Sequence, residues 1–311
     1  MKILLTGGSG FVGEHLLAAL DSEEVVLMGR SKVSNFKGTW FCSKIDGETD
    51  FSECLKGIDI VVHCAGRAHI VNEKNFDAIG MYRKINSEGT KNLAKQAAKA
   101  GVKRFIFIST IKVLGEKTEL GNAFISTNPF NPQDPYSISK AEAELGLKAI
   151  GKTHSMEIVI IRPPLVYGKG VKGNFKSLLK LISLSIPLPF GLIQNKRSLV
   201  SVENLVDLIV VCLKHPNAKN QTFLVSDDDD MSTSELFSRL AEAGGYKTYI
   251  FGFPPTMLYF FFLLFGKLHI YQRLFGSMQV SIEHTKSKLN WNPPFKADDT
   301  LKSCWQSDTY S

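Results

Sequence analysis

The segment Thr6-Gly7-Gly8-Ser9-Gly10-Phe11-Val12-Gly13 follows an apolar run at 2–5 and leads into apolar residues at helical spacing over 12–20. A glycine at every third position between a strand and a helix leaves few ways to fold. Gly7 permits a tight turn, Gly10 lets the backbone approach a pyrophosphate, and Gly13 lets the helix pack close to the strand. The helix start adds N–H groups without internal partners and a partial positive charge. Gly7, Gly10, Phe11, Val12 and Gly13 are therefore expected to hold the phosphates of a dinucleotide.

The strand-then-helix rhythm continues. Apolar runs at 25–28, 60–63, 105–109 and 158–162 have the look of strands buried on both faces, and helical patterns lie at 85–100 and 135–150, the first closed by Gly101. This alternation predicts an α/β fold, a doubly wound parallel Rossmann sheet with right-handed crossovers and a smaller C-terminal substrate-binding lobe. Beyond Arg162-Pro163-Pro164, glycines and prolines break the pattern. We expect a dinucleotide-binding domain over 1–165 and a lobe over 166–311, with part of 196–226 returning to the sheet. Further strands are expected at 199–202 and 222–225. Ser232-Thr233-Ser234-Glu235 reads as a capping box opening a helix to about residue 243. The acids Asp227, Asp228, Asp229 and Asp230 before it read as a solvated loop.

Composition removes other classes. A chain of 311 residues that is 44% apolar is neither disordered nor dependent on disulfides. Its basic surplus of seven is spread out, without the clustered cations that nucleic-acid binding needs. Cys42, Cys54, Cys64, Cys212 and Cys304 are scattered without a C-x-x-C, so no metal site is expected. Reduced thiols and the absence of a basic leader point to the cytoplasm. One stretch stands apart: no charge falls within 250–265, and 257–265 is wholly apolar. It is far shorter than the roughly 20 residues that span a bilayer. A buried helix is the first reading, a peripheral membrane contact the second.

The end of the second strand bears on the dinucleotide. Leu27-Met28-Gly29-Arg30-Ser31-Lys32 offers no acid for a ribose 2′-hydroxyl, while Arg30 suits a 2′-phosphate, so NADP is expected over NAD. Downstream, Tyr136-Ser137-Ile138-Ser139-Lys140 sets a phenol and an ammonium on one helix face. A cation beside a phenol favours its ionised form, which makes Tyr136 a general acid/base. Lys140 is in reach of the nicotinamide ribose.

Together, the glycine turn and Tyr-x-x-x-Lys closely resemble the short-chain dehydrogenase/reductase superfamily, in its extended, nucleotide-sugar-modifying branch, over almost the whole chain. The resemblance implies a hydroxyl partner for Tyr136: within Phe107-Ile108-Ser109-Thr110-Ile111-Lys112-Val113-Leu114-Gly115 this is Thr110, with Ser109 as the neighbouring substrate contact. It implies that Asp46 meets the adenine and that His63-Cys64-Ala65-Gly66 backs the cofactor through Ala65, with His63 a packed strand residue. Asn86-Ser87-Glu88-Gly89-Thr90 matches a mainly structural helix segment. Arg162-Pro163-Pro164-Leu165-Val166-Tyr167-Gly168 matches the stretch that passes the cofactor into the lobe, with Pro163 touching it. Asn174 and Arg197 fall where relatives grip a nucleotide diphosphate. A homodimer is implied by analogy.

Departures sort the reactions. Dehydratases of this branch carry an Asp-Glu pair where this chain has Ile111 and Lys112, so dehydration is not expected. Galactose-type epimerases usually carry Asn where this chain has Leu165, and an acid after strand two. These departures point to a reductase, and the stretches 109–116 and 170–175 resemble bacterial surface-polysaccharide enzymes, which implies action on the 4-keto group of a UDP-linked 6-deoxy-N-acetylhexosamine. The alternatives are a UDP-glucose or UDP-GlcNAc 4-epimerase, including one acting on a polyprenyl-diphosphate-linked sugar, and a dinucleotide-binding regulator without chemistry. Tyr136 with Lys140 counts against the last.

Overall fold

The computed structural model describes residues 1–34, 36–67 and 77–306. Seven strands, β1 (Lys2–Thr6), β2 (Glu24–Gly29), β3 (Trp40–Cys42), β4 (Ile60–His63), β5 (Arg104–Ile108), β6 (Glu157–Arg162) and β9 (Thr222–Leu224), form one sheet in the order β3-β2-β1-β4-β5-β6-β9. Every pairing is parallel; Ile3 faces Ile60 and Thr6 faces His63 across β1 and β4. This is the predicted doubly wound sheet. Two further strands, β7 (Leu165–Tyr167) and β8 (Leu199–Ser201), pair apart from it.

Helices on both faces explain why the strands are continuously apolar. On one face, α1 (Phe11–Ala19) and α6 (Val202–Lys214) bury Leu16 and Leu205 against Ile3 and Leu5. On the other, α3 (Thr90–Lys99) and α4 (Pro135–His154) bury Leu93 and Leu147 against Leu4. The period-two alternation along β1 thus feeds two cores. The helix expected over 85–100 is two pieces, a π-helical stretch Arg83–Gly89 and α3, with α2 (Ala78–Tyr82) leading into them. The wide π turns carry Asn86, Ser87 and Gly89 inward, and a Cβ on Gly89 would lie 2.9 Å from the Ile45 carbonyl carbon.

The C-terminal part contains α5 (Gly173–Ser183), α7 (Thr233–Gly244), α8 (Pro255–Leu264), α9 (Leu268–Phe275), α10 (Glu283–Leu289) and α11 (Ala297–Ser303). A third core, including Tyr167, Phe175, Phe237 and Leu301, holds α5, α7 and α11 together. Phe11 packs against both this core and the one under α1, beside the glycine turn. The capping box of α7 is present in both directions between Ser232 and Glu235.

Two expectations fail here. The acidic run is no solvated loop: Asp227 accepts from the Tyr167 hydroxyl at 2.6 Å and from Asn204 Nδ2 at 2.7 Å, and Asp230 accepts from Ser198 and from Gln279. These acids are anchors because the surrounding backbone and side chains supply donors. Nor is the apolar stretch a buried helix. Of the ten residues of α8 only Leu258 is buried, because α9 covers one side alone. Among the described residues no helix is long and apolar enough to cross a membrane.

Candidate active site

The glycine turn has the shape a phosphate cradle needs. Gly7 sits at φ +77°, and a Cβ there would lie 2.6 Å from the Ala65 nitrogen; one on Gly13 would lie 2.1 Å from the Gly7 carbonyl oxygen. Gly10 is the N-cap of α1, and no side chain caps the helix, so its first amides are left for an outside anion. Gly7 and Gly13 therefore let the turn, the start of α1 and Ala65 pack backbone to backbone, with no side chain capping the first amides of α1. The residues fit a dinucleotide pyrophosphate.

Around this cradle the floor is made rigid. His63 has Thr6 Oγ1 at 2.6 Å from Nδ1 and Thr90 Oγ1 at 2.9 Å from Nε2, and burial pushes its pKa down to about 3. It is a neutral packed residue, not an acid or base. Asn86 joins the loop after β4 to α4: its Oδ1 accepts from the Arg67 amide at 2.7 Å and its Nδ2 donates to Ser139 at 3.0 Å. Asp46 is buried and its Oδ1 accepts from the Thr49 hydroxyl at 2.7 Å and from the Glu48 and Thr49 amides. Those bonds, the Thr49 hydroxyl foremost, hold its carboxyl at about 2. Arg30 and Lys32 are exposed just past β2, with no acid between them.

The segments that carry the candidate residues Thr110, Tyr136 and Lys140 are held by three ties between α4 and the end of β5. Lys140 Nζ donates to the Ile108 carbonyl at 2.7 Å and lies 4.2 Å from the centre of the Phe107 ring. Ser109 Oγ donates to Glu144 at 2.5 Å, one turn further along α4. Lys112 Nζ donates to Asp134 at 2.8 Å, and Asp134 is the N-cap of α4 in a capping box with Ser137. Between the ties, Thr110 caps the short 3₁₀ turn Ile111–Val113, and Tyr136 stands in the first turn of α4 with its ring edge-on to Tyr82 at 6.2 Å. Pro163 is buried beside them and accepts the Ile111 amide at 2.9 Å.

The electrostatics differ from the simple expectation. Burial, then Asp134 and Tyr82, push the Tyr136 phenol above its ordinary range. Burial lowers the Lys140 ammonium to about 8, partly opposed by Cys64 and Glu144. In the protein alone, then, Tyr136 is a neutral acid and Lys140 a cation close to its titration point.

The sequence reading takes Thr110 as the reactive hydroxyl and Ser109 as a neighbouring substrate contact; the structure buries Ser109 and gives its hydroxyl to Glu144. Ser109 serves a buried network in which Arg162 Nη2 meets Glu144 at 2.6 Å, both almost wholly inaccessible. Nothing local to Ser109 could have revealed this, because its partner lies 35 residues away. Lys112 and Asp134 were likewise missed as a pair. In the lobe, Asn174 is exposed in the first turn of α5. Arg197 donates from Nη1 to the carbonyls of Arg273 and Gly276, each at 2.9 Å. Burial and then the neighbouring Arg273 cation lower the Arg197 pKa. Arg273 thus stands beside Arg197, although no motif singled it out. Among the described residues no cluster could hold a metal ion.

A parallel sheet with a glycine cradle at the head of β1, and a Thr-Tyr-Lys set at the meeting of β5 and α4, defines an extended short-chain dehydrogenase/reductase. Comparison with known proteins refines that class. The model of the NAD dependent epimerase/dehydratase family matches residues 3–226, and the chain belongs to this family of enzymes. It is 50% identical to a UDP-glucose 4-epimerase of Vibrio cholerae, over 98% of this chain and 95% of that one. It is 26% identical to the N-acetyl-alpha-D-glucosaminyl-diphospho-ditrans,octacis-undecaprenol 4-epimerase of Escherichia coli O157:H7, over 78% of this chain and 72% of that one. Among solved structures, a UDP-glucuronic acid 4-epimerase from Bacillus cereus in complex with NAD superposes with a TM-score of 0.78 at 22% identity, covering 98% and 97% of the two chains.

Proposed function

We propose that this protein is a UDP-hexose 4-epimerase, with UDP-glucose and its C4 epimer as the first substrates to test. The observation that carries the reading is the tied Thr110, Tyr136 and Lys140 set without a carboxylate at 111 or 112, in a chain half identical along its length to a UDP-glucose 4-epimerase. This replaces the reductase expected from Leu165 and the acid-free end of β2, two single positions that weigh less than identity over the whole chain.

When bound, the nicotinamide dinucleotide supplies the acceptor and donor of hydride at sugar C4, and its oxidised ring adds positive charge beside Tyr136. Gly7, Gly10, Phe11, Val12 and Gly13 would hold its pyrophosphate, Ala65 and Pro163 would line it, Asp46 would shape the adenine end, and Lys140 would reach its ribose. Tyr136, once ionised in the loaded site, would take the proton of the C4 hydroxyl as C4 loses hydride, and would return it to the keto oxygen as hydride comes back to the other face of C4. Thr110, fixed by its cap on the 3₁₀ turn, orients that oxygen. Arg197 and Arg273 would grip the diphosphate with two guanidinium groups, with Asn174 beyond them. Positions 111 and 112 are Ile and Lys, so neither offers a carboxylate for dehydration, and Lys112 is held by Asp134 and Glu116.

On charge, exposed Arg30 and Lys32 favour a 2′-phosphate, and we propose NADP as the better-held dinucleotide; titration with NAD and NADP reads this directly. A polyprenyl-diphosphate-linked sugar is the second substrate class, supported by the exposed α8. Five unpaired cysteines support work in the cytoplasm, and the product would serve polysaccharide synthesis. The test is incubation with UDP-glucose and catalytic dinucleotide, followed by NMR. UDP-galactose should form, and Tyr136→Phe should slow it about 10²–10⁴-fold with the fold intact. Stoichiometric NADPH consumption by a 4-keto-6-deoxy UDP-sugar, with no epimerisation, would restore the reductase.

A further inference from the structure

We propose that α8 and the turn into α9 form an interfacial anchor that docks the substrate lobe on an anionic lipid bilayer. Leu258 seats α8 on the lobe core, and Phe262 packs beside it. Tyr271 of α9 holds the same side, with ring centres 5.4 Å from Tyr259 and 6.1 Å from Phe262. The remaining surface is bare. Met257, Tyr259, Phe260, Phe261, Leu263 and Leu264 are exposed, Leu264 at 83% and Phe260 at 65%. At roughly 100° per residue these six sweep an arc of about 200°. A surface helix of a soluble domain would carry charge on such an arc, and α8 carries none.

The charges around it select the occupant. Residues 243–282 contain no Asp or Glu, in a chain with 30 acids in 311 residues, yet they include Lys247, Lys267 and Arg273, all exposed. Lys267 lies immediately after the exposed Phe265 and Gly266. An apolar wedge followed at once by Lys267, in a stretch of chain that holds cations and no acids, matches the boundary between acyl chains and anionic headgroups, where such a helix lies in the plane of the membrane. A second copy of the chain fits less well. A protein face covers one stripe of a helix, whereas this arc is wide, and two such copies would bring Lys247, Lys267 and Arg273 together without acids to pair them. At about 15 Å, α8 is too short to span a bilayer, consistent with contact rather than crossing. Docking this way would leave Arg273, on the helix after the wedge, near the headgroup layer.

This goes beyond the epimerase reading, and its test measures no catalysis. The full-length protein is sedimented with vesicles of phosphatidylcholine alone and of phosphatidylcholine mixed with phosphatidylglycerol. The wild type should pellet with the mixed vesicles roughly five-fold better than with the neutral ones, and less well in high salt. Combined Phe260→Ser, Phe261→Ser and Leu264→Ser should reduce binding about ten-fold or more while leaving the thermal melt unchanged. Lys267→Glu should lower binding to anionic vesicles alone by about five-fold or more. If the wild type stays in the supernatant with both vesicles, or the triple variant pellets as the wild type does, the proposal is wrong. A concentration-dependent dimer that the triple variant loses, with no vesicle binding by the wild type, would give this surface to a second copy instead.

Discussion

Strand β1 and helix α8 are both mainly apolar, and the fold treats them in opposite ways. Every residue of β1 after Lys2 is buried, while α8 buries Leu258 alone. Apolar character by itself therefore does not determine burial. In the parallel sheet the crossover helices α1, α3, α4 and α6 lie on both faces, so the central strands are covered on both sides. The lobe has no such rule, and α8 rests on the lobe core and α9 with one side alone. Substitutions should separate the two regions cleanly.

The largest effect is expected beneath the catalytic set. Arg162→Met leaves Glu144 buried without its cation and should cost about 3–5 kcal/mol in denaturant unfolding. Next is Gly13→Val, whose side chain has no space beside the Gly7 carbonyl. It should cost about 3 kcal/mol and abolish dinucleotide binding measured by fluorescence.

Lys140→Met should act in the other direction on stability. With Lys140 at about 8 in the folded protein and 10.5 as its ordinary value, the unfolded chain binds more protons between those limits. Stability gained by relieving the buried charge therefore rises with pH through that window, and the full penalty stands below it. Replacing Lys140 should stabilise the cofactor-free protein at pH 7 by about 2 kcal/mol, allowing for the lost bond to Ile108, with the difference shrinking as pH rises toward 10.5. The same change should abolish turnover. The smallest effect is expected on the bare helix: Phe261→Ser should shift stability by less than about 0.5 kcal/mol, read from the same melts.

These contrasts track what could be read from the chain. Gly7, Gly10 and Gly13 were legible because their constraint is local and steric, and Tyr136 with Lys140 because helix spacing puts them on one face. The strand runs were legible because doubly covered strands are continuously apolar. The partner of Ser109 was not, since Glu144 meets it only through the fold. The π turns at Arg83–Gly89 depend on Asn86 reaching across to Arg67 and Ser139, which no periodicity encodes. The acids at 227–230 have the composition of a loop, and distant donors such as Tyr167, Asn204, Ser198 and Gln279 make them anchors. Arg273 belongs to no motif, and its place beside Arg197 follows from the seating of α9.

The central claim is that hydride leaves C4 and returns to C4 while Tyr136 carries the proton out and back. UDP-glucose labelled with deuterium at C4, incubated with the enzyme and a trace of unlabelled dinucleotide, reads this directly by NMR of the two epimers. Retention of deuterium at C4 in UDP-galactose, with no net change in reduced dinucleotide, is the predicted result. Loss of the label to the dinucleotide pool, or steady consumption of reduced dinucleotide without a C4 epimer, would contradict it.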